Sequence, residues 1–379
     1  MFTFDTVQCC LTILLLLAAG EIVSARMKAA IPAILTAGIL YTAGLWAGVL
    51  PAGLTETAGF ATFTPVATML IILGMGASTS VAQLRENWRV VALSAAVFAL
   101  QVGALYLIIG SIFGVNTFVG GLPGGTATAL IVQERARSFG YDSLIVLSVL
   151  LLSVQGLVGC PLVALCLRKE ARRLLAQTPQ AASAEPAETE WASASAPASP
   201  YRSFLRLLLA AWVAARIELL TGLSRYVVCL LLGVALGELG FLRRDEVERT
   251  NSKGFLMLLM MSMVLSGFSA ATPQMFLQML APLAGILLCG MTSILAFAPL
   301  LGRLLGFSPA MSIGIGMNIM IGFPMNLLIT EDVVALLVKD KAQGRILVDR
   351  ISTKMIIGGF TSTTFLAVLA AGLLVGLMR

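Results

Sequence analysis

Long apolar blocks separated by short charged segments run through the whole chain. A helix needs about 20 mostly apolar residues to cross a bilayer, and blocks of roughly that length predict membrane spans. The predicted spans are Thr6–Val23, Ala29–Leu50, Thr64–Val81, Val90–Gly110, Asp142–Leu167, Ser203–Leu220, Arg225–Phe241, Gly254–Ala271, Met275–Leu301 and Ser352–Leu377. The block 203–220 is the weakest, because Arg206, Arg216 and Glu218 interrupt it and it would also suit the membrane interface.

The composition supports a membrane protein. Hydrophobic residues make up 58% of the chain and charged residues 12%, about half the charged fraction of an average soluble domain. We therefore predict an all-α polytopic membrane protein. The net charge of +6 lies in short loops between apolar blocks, where a topology signal explains it better than a nucleic-acid partner.

The distribution of Lys and Arg predicts the orientation. With the central linker in the cytoplasm, 20 of the 25 basic residues fall inside, 4 outside and 1 within a span. Positive residues accumulate on the cytoplasmic side of membrane proteins. We expect a multi-pass protein of the cell inner membrane with both termini external.

An internal repeat relates the two halves of the chain. An offset of about 193 residues carries Gly74 onto Gly267 and Gly121 onto Gly314. The predicted units are two five-span halves, residues 1–168 and 203–379. Because each half has an odd number of spans, the halves would lie with opposite orientation in the membrane, as in many secondary transporters.

Two segments fall outside that repeat. Residues 169–202 start with a basic cluster and continue as an Ala/Ser/Pro/Glu-rich stretch, which predicts a disordered cytoplasmic linker. An insert near 331–350 predicts a cytoplasmic amphipathic helix with Thr330 as its N-cap, Glu331 and Asp332 in its first turn, and Gly344 as its stop.

Two glycine- and proline-rich stretches stand at corresponding places in the halves. Gly120–Ala129 reads G-G-L-P-G-G-T-A-T-A, and Gly314–Asn326 reads G-I-G-M-N-I-M-I-G-F-P-M-N. Such residues break helices, and a broken helix in lipid leaves backbone groups unsatisfied unless protein or a wet cavity surrounds it. Paired breaks predict a re-entrant or broken helix before the last span of each half, and a transport site between them. The alternative is close helix packing by small residues, which requires neither prolines nor asparagines.

The first stretch has the chemistry of a carboxylate site. A helix beginning at Ala127–Val132 would present free N–H groups and about half a positive charge at membrane depth. The second stretch offers oxygen atoms that suit sodium, our expected coupling ion; no other cofactor is expected. The predicted substrate contacts are Gly120, Gly121, Pro123, Gly124, Gly125, Thr126, Thr128, Asn318, Gly322, Pro324 and Asn326. The predicted sodium ligands are Gly314 and Gly316, through exposed carbonyls, with Asn318 and Asn326.

The closing helix of each half adds further polar candidates. These are Ser148, Ser153 and Gln155 in one half, and Thr361, Ser362, Thr363 and Thr364 in the other. Hydroxyls that bond back to their own helix are an equally good explanation. Gln101 is a lone polar residue in its span and is better explained as a contact between helices. Neither closing span has a carboxylate near its middle, which counts against a proton antiporter built on buried aspartates.

These features resemble the bacterial glutamate–sodium symporters and related inverted-repeat elevator carriers. The resemblance rests on two five-helix halves, on a Gly-rich loop before each last helix, and on a G-G-x-G-T-A-like core. That core is spread over Gly120–Gly121 and Gly124–Ala127, with Leu122 and Pro123 inserted. The resemblance implies sodium-driven transport of a small carboxylate such as glutamate by a homodimer.

Other functions stay open to different degrees. A sodium-independent carrier or exporter of another small solute would fit the same scaffold. A membrane-embedded enzyme is disfavoured: the chain has no histidine and no G-x-S-x-G or H-E-x-x-H motif, so few general bases remain. A channel would need an oligomeric symmetry that the sequence does not indicate.

Overall fold

The protein is all-helical. A computed structural model describes residues 4–26, 33–51, 53–79, 81–177, 199–270, 272–321, 326, 329–330, 333–334, 337–338 and 341–378. No strand occurs in those ranges. Six of the helices described there are long and apolar enough to cross a membrane, namely Thr6–Val23, Phe60–Ser78, Trp88–Phe113, Asp142–Ala176, Pro273–Leu304 and Arg350–Leu377. This confirms the predicted class, an all-α polytopic membrane protein.

The helices follow the predicted spans closely. In the first half they are α1 Thr6–Arg26, α2 Ala33–Trp46, α3 Leu54–Thr57, α4 Phe60–Ser78, α5 Val81–Glu86, α6 Trp88–Phe113, α7 Val115–Gly120, α8 Thr126–Ser138 and α9 Asp142–Gln177. In the second half they are α10 Pro200–Thr221, α11 Arg225–Glu238, α12 Glu246–Arg249, α13 Lys253–Gly267, α14 Pro273–Leu304, α15 Pro309–Ile321, α16 Lys341–Gly359 and α17 Ala367–Leu374. A π-helical segment, Phe360–Leu366, joins α16 to α17, so the last span is one continuous helix with a locally wider turn.

The order of helices recurs at the predicted spacing. Helices α10, α11, α12 and α13 begin 192 to 194 residues after α1, α2, α3 and α4, and α15 begins 194 residues after α7. The short α3 and α12 precede a long apolar helix in the same way. The relative orientation of the two halves in the membrane stays a prediction.

Three local predictions differ from the structure. Helix α9 continues to Gln177, so residues 169–177 of the predicted linker are helical; residues 178–198 lie outside the described ranges. Helix α16 runs through Gly344, which therefore does not stop the predicted insert helix. The Thr330 hydroxyl donates to the carbonyl of Asn326, four residues earlier, at 2.7 Å, whereas an N-cap side chain accepts from an N–H that follows it. Glu331 and Asp332 lie outside the described residues.

The three charged residues that interrupt the apolar block of α10 all have partners. Arg206 Nη1 lies 3.6 Å from Oε1 of the buried Glu246, and Arg225 Nε lies 2.9 Å from Glu218 Oε2. Arg216 lies over the Trp212 ring at 5.4 Å. Pairing offsets part of the cost of placing such groups near lipid.

Helices α4 and α11 cross with their backbones in contact. A Cβ added to Gly233 would lie 2.4 Å from the carbonyl oxygen of Leu73, and one added to Gly76 would lie 2.5 Å from that of Leu230. Gly237 meets the backbone of Ala77 at 2.9 Å. Small residues of this kind let membrane helices approach closely enough for strong van der Waals packing.

The described residues form two apolar cores, and Val102 and Leu287 pack against both of them. The first includes Leu122 and Ala127 beside α8, together with much of α4, α11 and α13. The second includes Met317 of α15 and Met355 of α16, together with the start of α6. The two predicted site regions therefore belong to different cores that adjoin each other.

The α4–α11 crossing yields a stability prediction. Gly233→Ala should lower the thermal unfolding midpoint of the purified protein, because the added methyl group forces two backbones apart at a cost of about 1–3 kcal/mol. Gly103→Ala in α6 is the matched control, since nothing lies within 4 Å of its Cβ position. That control should gain about 0.5–1 kcal/mol from reduced backbone entropy. Equal midpoints for the two variants would contradict the backbone contact.

Candidate functional site

A buried break separates α7 from α8. Residues 121–125 are not helical, and residues 118–124 are buried. Helix α8 begins at Thr126 with Gly125 as an N-cap that provides no side-chain hydrogen bond. The first N–H groups of α8 thus have neither a preceding helical turn nor a capping side chain as acceptor. The break and the helix start lie where the sequence predicted them.

Gly124 fixes the shape of this break. Its φ is +156°, a conformation that favours glycine, and a Cβ there would lie 2.5 Å from Thr128 Oγ1 and 2.8 Å from Ala367 Cβ. Its carbonyl oxygen accepts a hydrogen bond of 2.8 Å from Nε2 of Gln155 in α9. One predicted polar residue of the closing helix therefore holds the break in place.

A narrow cavity of about 10 Å³ adjoins the break, roughly the space of one water molecule. Its walls include Gly120, Gly124, Gly125, Ala129, Ser148 and Gln155. Gly121 instead packs against α14, since a Cβ on it would lie 2.2 Å from Ile286 Cδ1. Pro123 is buried in the break, and Thr126 is half-buried at the start of α8. Thr128 is only 1% exposed, and its Oγ1 has no hydrogen-bond partner.

The second stretch is helical where the sequence predicted unwound backbone. Helix α15 runs without interruption through Gly314, Gly316 and Asn318 to Ile321. The two glycines serve close packing: their Cβ positions lie 3.4 Å from Leu167 and 2.9 Å from Ile294. Within a helix their carbonyls accept the i+4 N–H, so the unwound backbone expected at Gly314 and Gly316 is not found there, and sodium binding by their carbonyls stays a prediction. Gly322 and Pro324 lie outside the described residues.

Asn318 and Asn326 lie together as a buried pair. The Nδ2 atoms of both donate to the carbonyl oxygen of Met355 in α16, at 2.9 Å and 3.0 Å. Both side chains are 0% exposed. The Oδ1 of Asn318 has no hydrogen-bond partner. The arrangement leaves an amide oxygen available in a water-excluded place.

The break and the asparagine pair lie about one helical turn apart. On the last helix, the Cβ position of Gly359 lies 3.5 Å from Asn318 Oδ1. One turn later, the carbonyl oxygen of Thr363 lies 4.0 Å from the Cβ position of Gly125. Four residues of helix span about 6 Å. The π-helical segment begins directly after Gly359 and includes Thr363, and such segments often mark functional sites.

Helix α9 also contacts both the break and the end of α15. Gln155 bonds to Gly124, and Gly159, one turn later, has its Cβ position 2.9 Å from Ile321 Cγ2. The closing helix of each half thus touches both predicted regions. The sequence did not single out Gly159, Gly358 or Gly359, whose signal would have been small residues in the middle of a span.

The hydroxyls of the closing helices bond to their own backbones. Ser148, Ser153, Thr361, Ser362 and Thr363 each donate to a carbonyl three or four residues earlier, at 2.6–2.9 Å. This favours the alternative explanation considered from the sequence. Thr364 is buried as well. Gln101 packs against α14, with its Nε2 2.8 Å from the Cβ position of Gly290.

The fold and this site define a multi-pass helical membrane protein with an interrupted helix at its centre. No protein-family model matches the chain, and a comparison with curated proteins found no match. Among solved structures, the chain is similar to the sodium proton antiporter MjNhaP1 from Methanocaldococcus jannaschii. The identity is 17%, covering 98% of this chain and 99% of that one, with a TM-score of 0.45. A similarity of this degree assigns neither a family nor a transported ion.

Gln155 provides a test of how the break is held. Gln155→Leu leaves the carbonyl of Gly124 buried without its donor, which should cost about 1–3 kcal/mol and lower the thermal unfolding midpoint. Gln101→Leu is the matched control, because Gln101 is equally buried and its Oε1 has no partner to lose. We expect that control to be neutral or stabilising. An equal loss in both variants would show that the Gln155 bond has no special role.

Proposed function

We propose that this protein is a secondary active transporter that couples sodium to the uptake of a small carboxylate, such as glutamate, by alternating access. The observation that carries the proposal is the buried start of α8, with its unpartnered Thr128 hydroxyl, about one turn from the buried pair Asn318 and Asn326. Its partners are a small anionic solute, the lipid bilayer and, by resemblance, a second copy of the chain.

The α8 start suits an anion. Its N–H groups and the helix dipole place partial positive charge beside the cavity. None of the residues that line the cavity carries a charge, so no carboxylate of the lining opposes an anionic ligand. Gly124 and Gly125 allow a ligand to approach the backbone without a Cβ in the way.

The asparagine pair suits a hard monovalent cation. Amide and hydroxyl oxygens are ligands for hard cations, whereas soft metals prefer sulfur and imidazole. In the described residues no cluster of three His, Cys, Asp or Glu side chains occurs that could hold a metal ion. A neutral set of oxygens binds sodium without needing to release protons.

Proximity of the two regions would couple the ion to the solute. Opposite unit charges about 6 Å apart attract by roughly 3 kcal/mol at an effective dielectric constant of 20. A coupling free energy of that size corresponds to more than a hundredfold increase in affinity. Each ligand would therefore strengthen the binding of the other, as symport requires.

The small cavity implies an opening step. Sites for small molecules enclose about 300–1,000 Å³, far more than the 10 Å³ beside Gly124. A carboxylate solute would enter only when α8 separates from α9 or from the last helix. This need for opening agrees with alternating access.

Uptake into proteoliposomes tests the coupling. With radiolabelled L-glutamate first, and then a panel of small carboxylates, an inward sodium gradient should drive accumulation. Each net charge moving through 100 mV adds about 2.3 kcal/mol, or roughly fifty-fold accumulation. Uptake that is unchanged after potassium replaces sodium, at zero membrane potential, would contradict the coupling and favour the sodium-independent carrier. Failure of every carboxylate would contradict the solute class.

Two substitutions test the assigned roles. Asn318→Ala should abolish sodium-driven uptake while expression is retained, because it removes the free amide oxygen. Gly124→Leu should block solute binding by filling the space beside Thr128. Asn87→Ala, at the start of α6 and outside both regions, is the control and should transport normally. Wild-type uptake by Asn318→Ala would remove Asn318 from the site.

A further inference from the structure

We infer that Ser94 of α6 joins Asn318 in one buried sodium site, located where both side chains face Gly358 of α16. This inference rests on the proposed function and adds to it a ligand from a helix that neither predicted stretch contains. It places the ion between α6, α15 and α16, and not in unwound backbone of the second stretch.

The Ser94 hydroxyl is exceptional among the buried hydroxyls of the described helices. Most of them donate to a carbonyl of their own helix, as Ser153 does to Val149, Ser293 to Cys289 and Ser312 to Ser308. Ser94 is 0% exposed, yet its Oγ has no hydrogen-bond partner. In the described part of the chain, Thr128 Oγ1 is the other buried hydroxyl oxygen in this state. A buried polar atom without a partner is costly, which indicates a ligand at that position.

Ser94 and Asn318 converge on Gly358. Ser94 Oγ lies 3.3 Å and Asn318 Nδ2 lies 3.2 Å from the Cβ position of Gly358. Asn318 Oδ1 lies 3.5 Å from the Cβ position of Gly359. Two glycines in succession keep this place free of side-chain carbon. A methyl group on Gly358 would therefore enter the space between the two oxygen-bearing side chains.

The orientation of the amide leaves oxygen for a cation. Nδ2 of Asn318 and Nδ2 of Asn326 are both engaged at the Met355 carbonyl, so Asn318 turns its Oδ1 away from that contact. A single cation would satisfy Oδ1 of Asn318 and Oγ of Ser94 together. The donors are neutral oxygens, which match a monovalent hard cation better than a divalent one that needs carboxylates.

Water is the competing occupant, and a sodium titration separates the two. The full-length protein is purified in detergent, and its unfolding midpoint is measured against NaCl, with choline chloride holding the ionic strength constant. A ligand that binds the folded state raises the midpoint in a saturable way. We expect the wild type to show this rise with sodium. Potassium chloride in place of NaCl reports the selectivity of the site.

Four variants locate the effect. Ser94→Ala and the near-isosteric Ser94→Cys should each need at least tenfold more sodium for half of the rise, and Gly358→Ala should behave in the same way. Ser111→Ala is the matched control: it lies on the same helix, is exposed, and bonds to the carbonyl of Leu107. It should titrate like the wild type. Because Ser94→Cys retains the side-chain volume, a shift in that variant is due to the lost oxygen and not to a cavity.

The outcomes separate this inference from the proposed function. If both Ser94 variants titrate like the wild type while Asn318→Ala does not, Ser94 is not a ligand and the proposed sodium coupling stands. If the wild type shows no sodium response, water is the occupant and the sodium site is overturned. If sodium binding depends on Ser94 but uptake is independent of sodium, the site stands and the proposed coupling fails.

Discussion

Every backbone polar group inside a bilayer must find its partner within the protein, and this constraint governs the structure around Gly124. Between α7 and α8 the chain leaves its helix while still buried, so bulk water does not reach the carbonyls there. The protein meets the constraint at Gly124 with a side chain from another helix, Gln155, and the last helix encloses the break at Thr363 and Ala367. A break of this kind persists only when it is enclosed, which explains why two closing helices flank it.

The two halves satisfy the constraint in different ways. The first half interrupts its helix and provides a donor from outside. The second half keeps α15 helical to Ile321 and provides donors from asparagine side chains to the carbonyl of Met355. The result is a positive helix end in one half and an amide oxygen in the other. A similar order of helices in the two halves has thus produced unlike chemistry at the two predicted site regions.

A feature could be predicted from the sequence when residues next to it in the chain determine it, and not when distant residues do. Span positions depend on hydropathy alone, and the break at Gly124 depends on adjacent Gly and Pro residues, so both were predictable. The helical backbone at Gly314 and Gly316 was not predicted because glycine equally permits unwinding and close packing, and only neighbours such as Leu167 and Ile294 decide between them. Ser94 was not predictable, because a single serine in an apolar helix gains meaning only from the distant Asn318 and Gly358 that face it.

The hydroxyl-rich wider turn in the last helix has a structural consequence. Thr361, Ser362 and Thr363 each place a hydroxyl on the carbonyl four residues earlier, along the stretch where the backbone ladder changes its pairing. Those carbonyls keep a donor even when the amide that would normally serve them is displaced by one position. The segment therefore widens at membrane depth without leaving those acceptors unsatisfied.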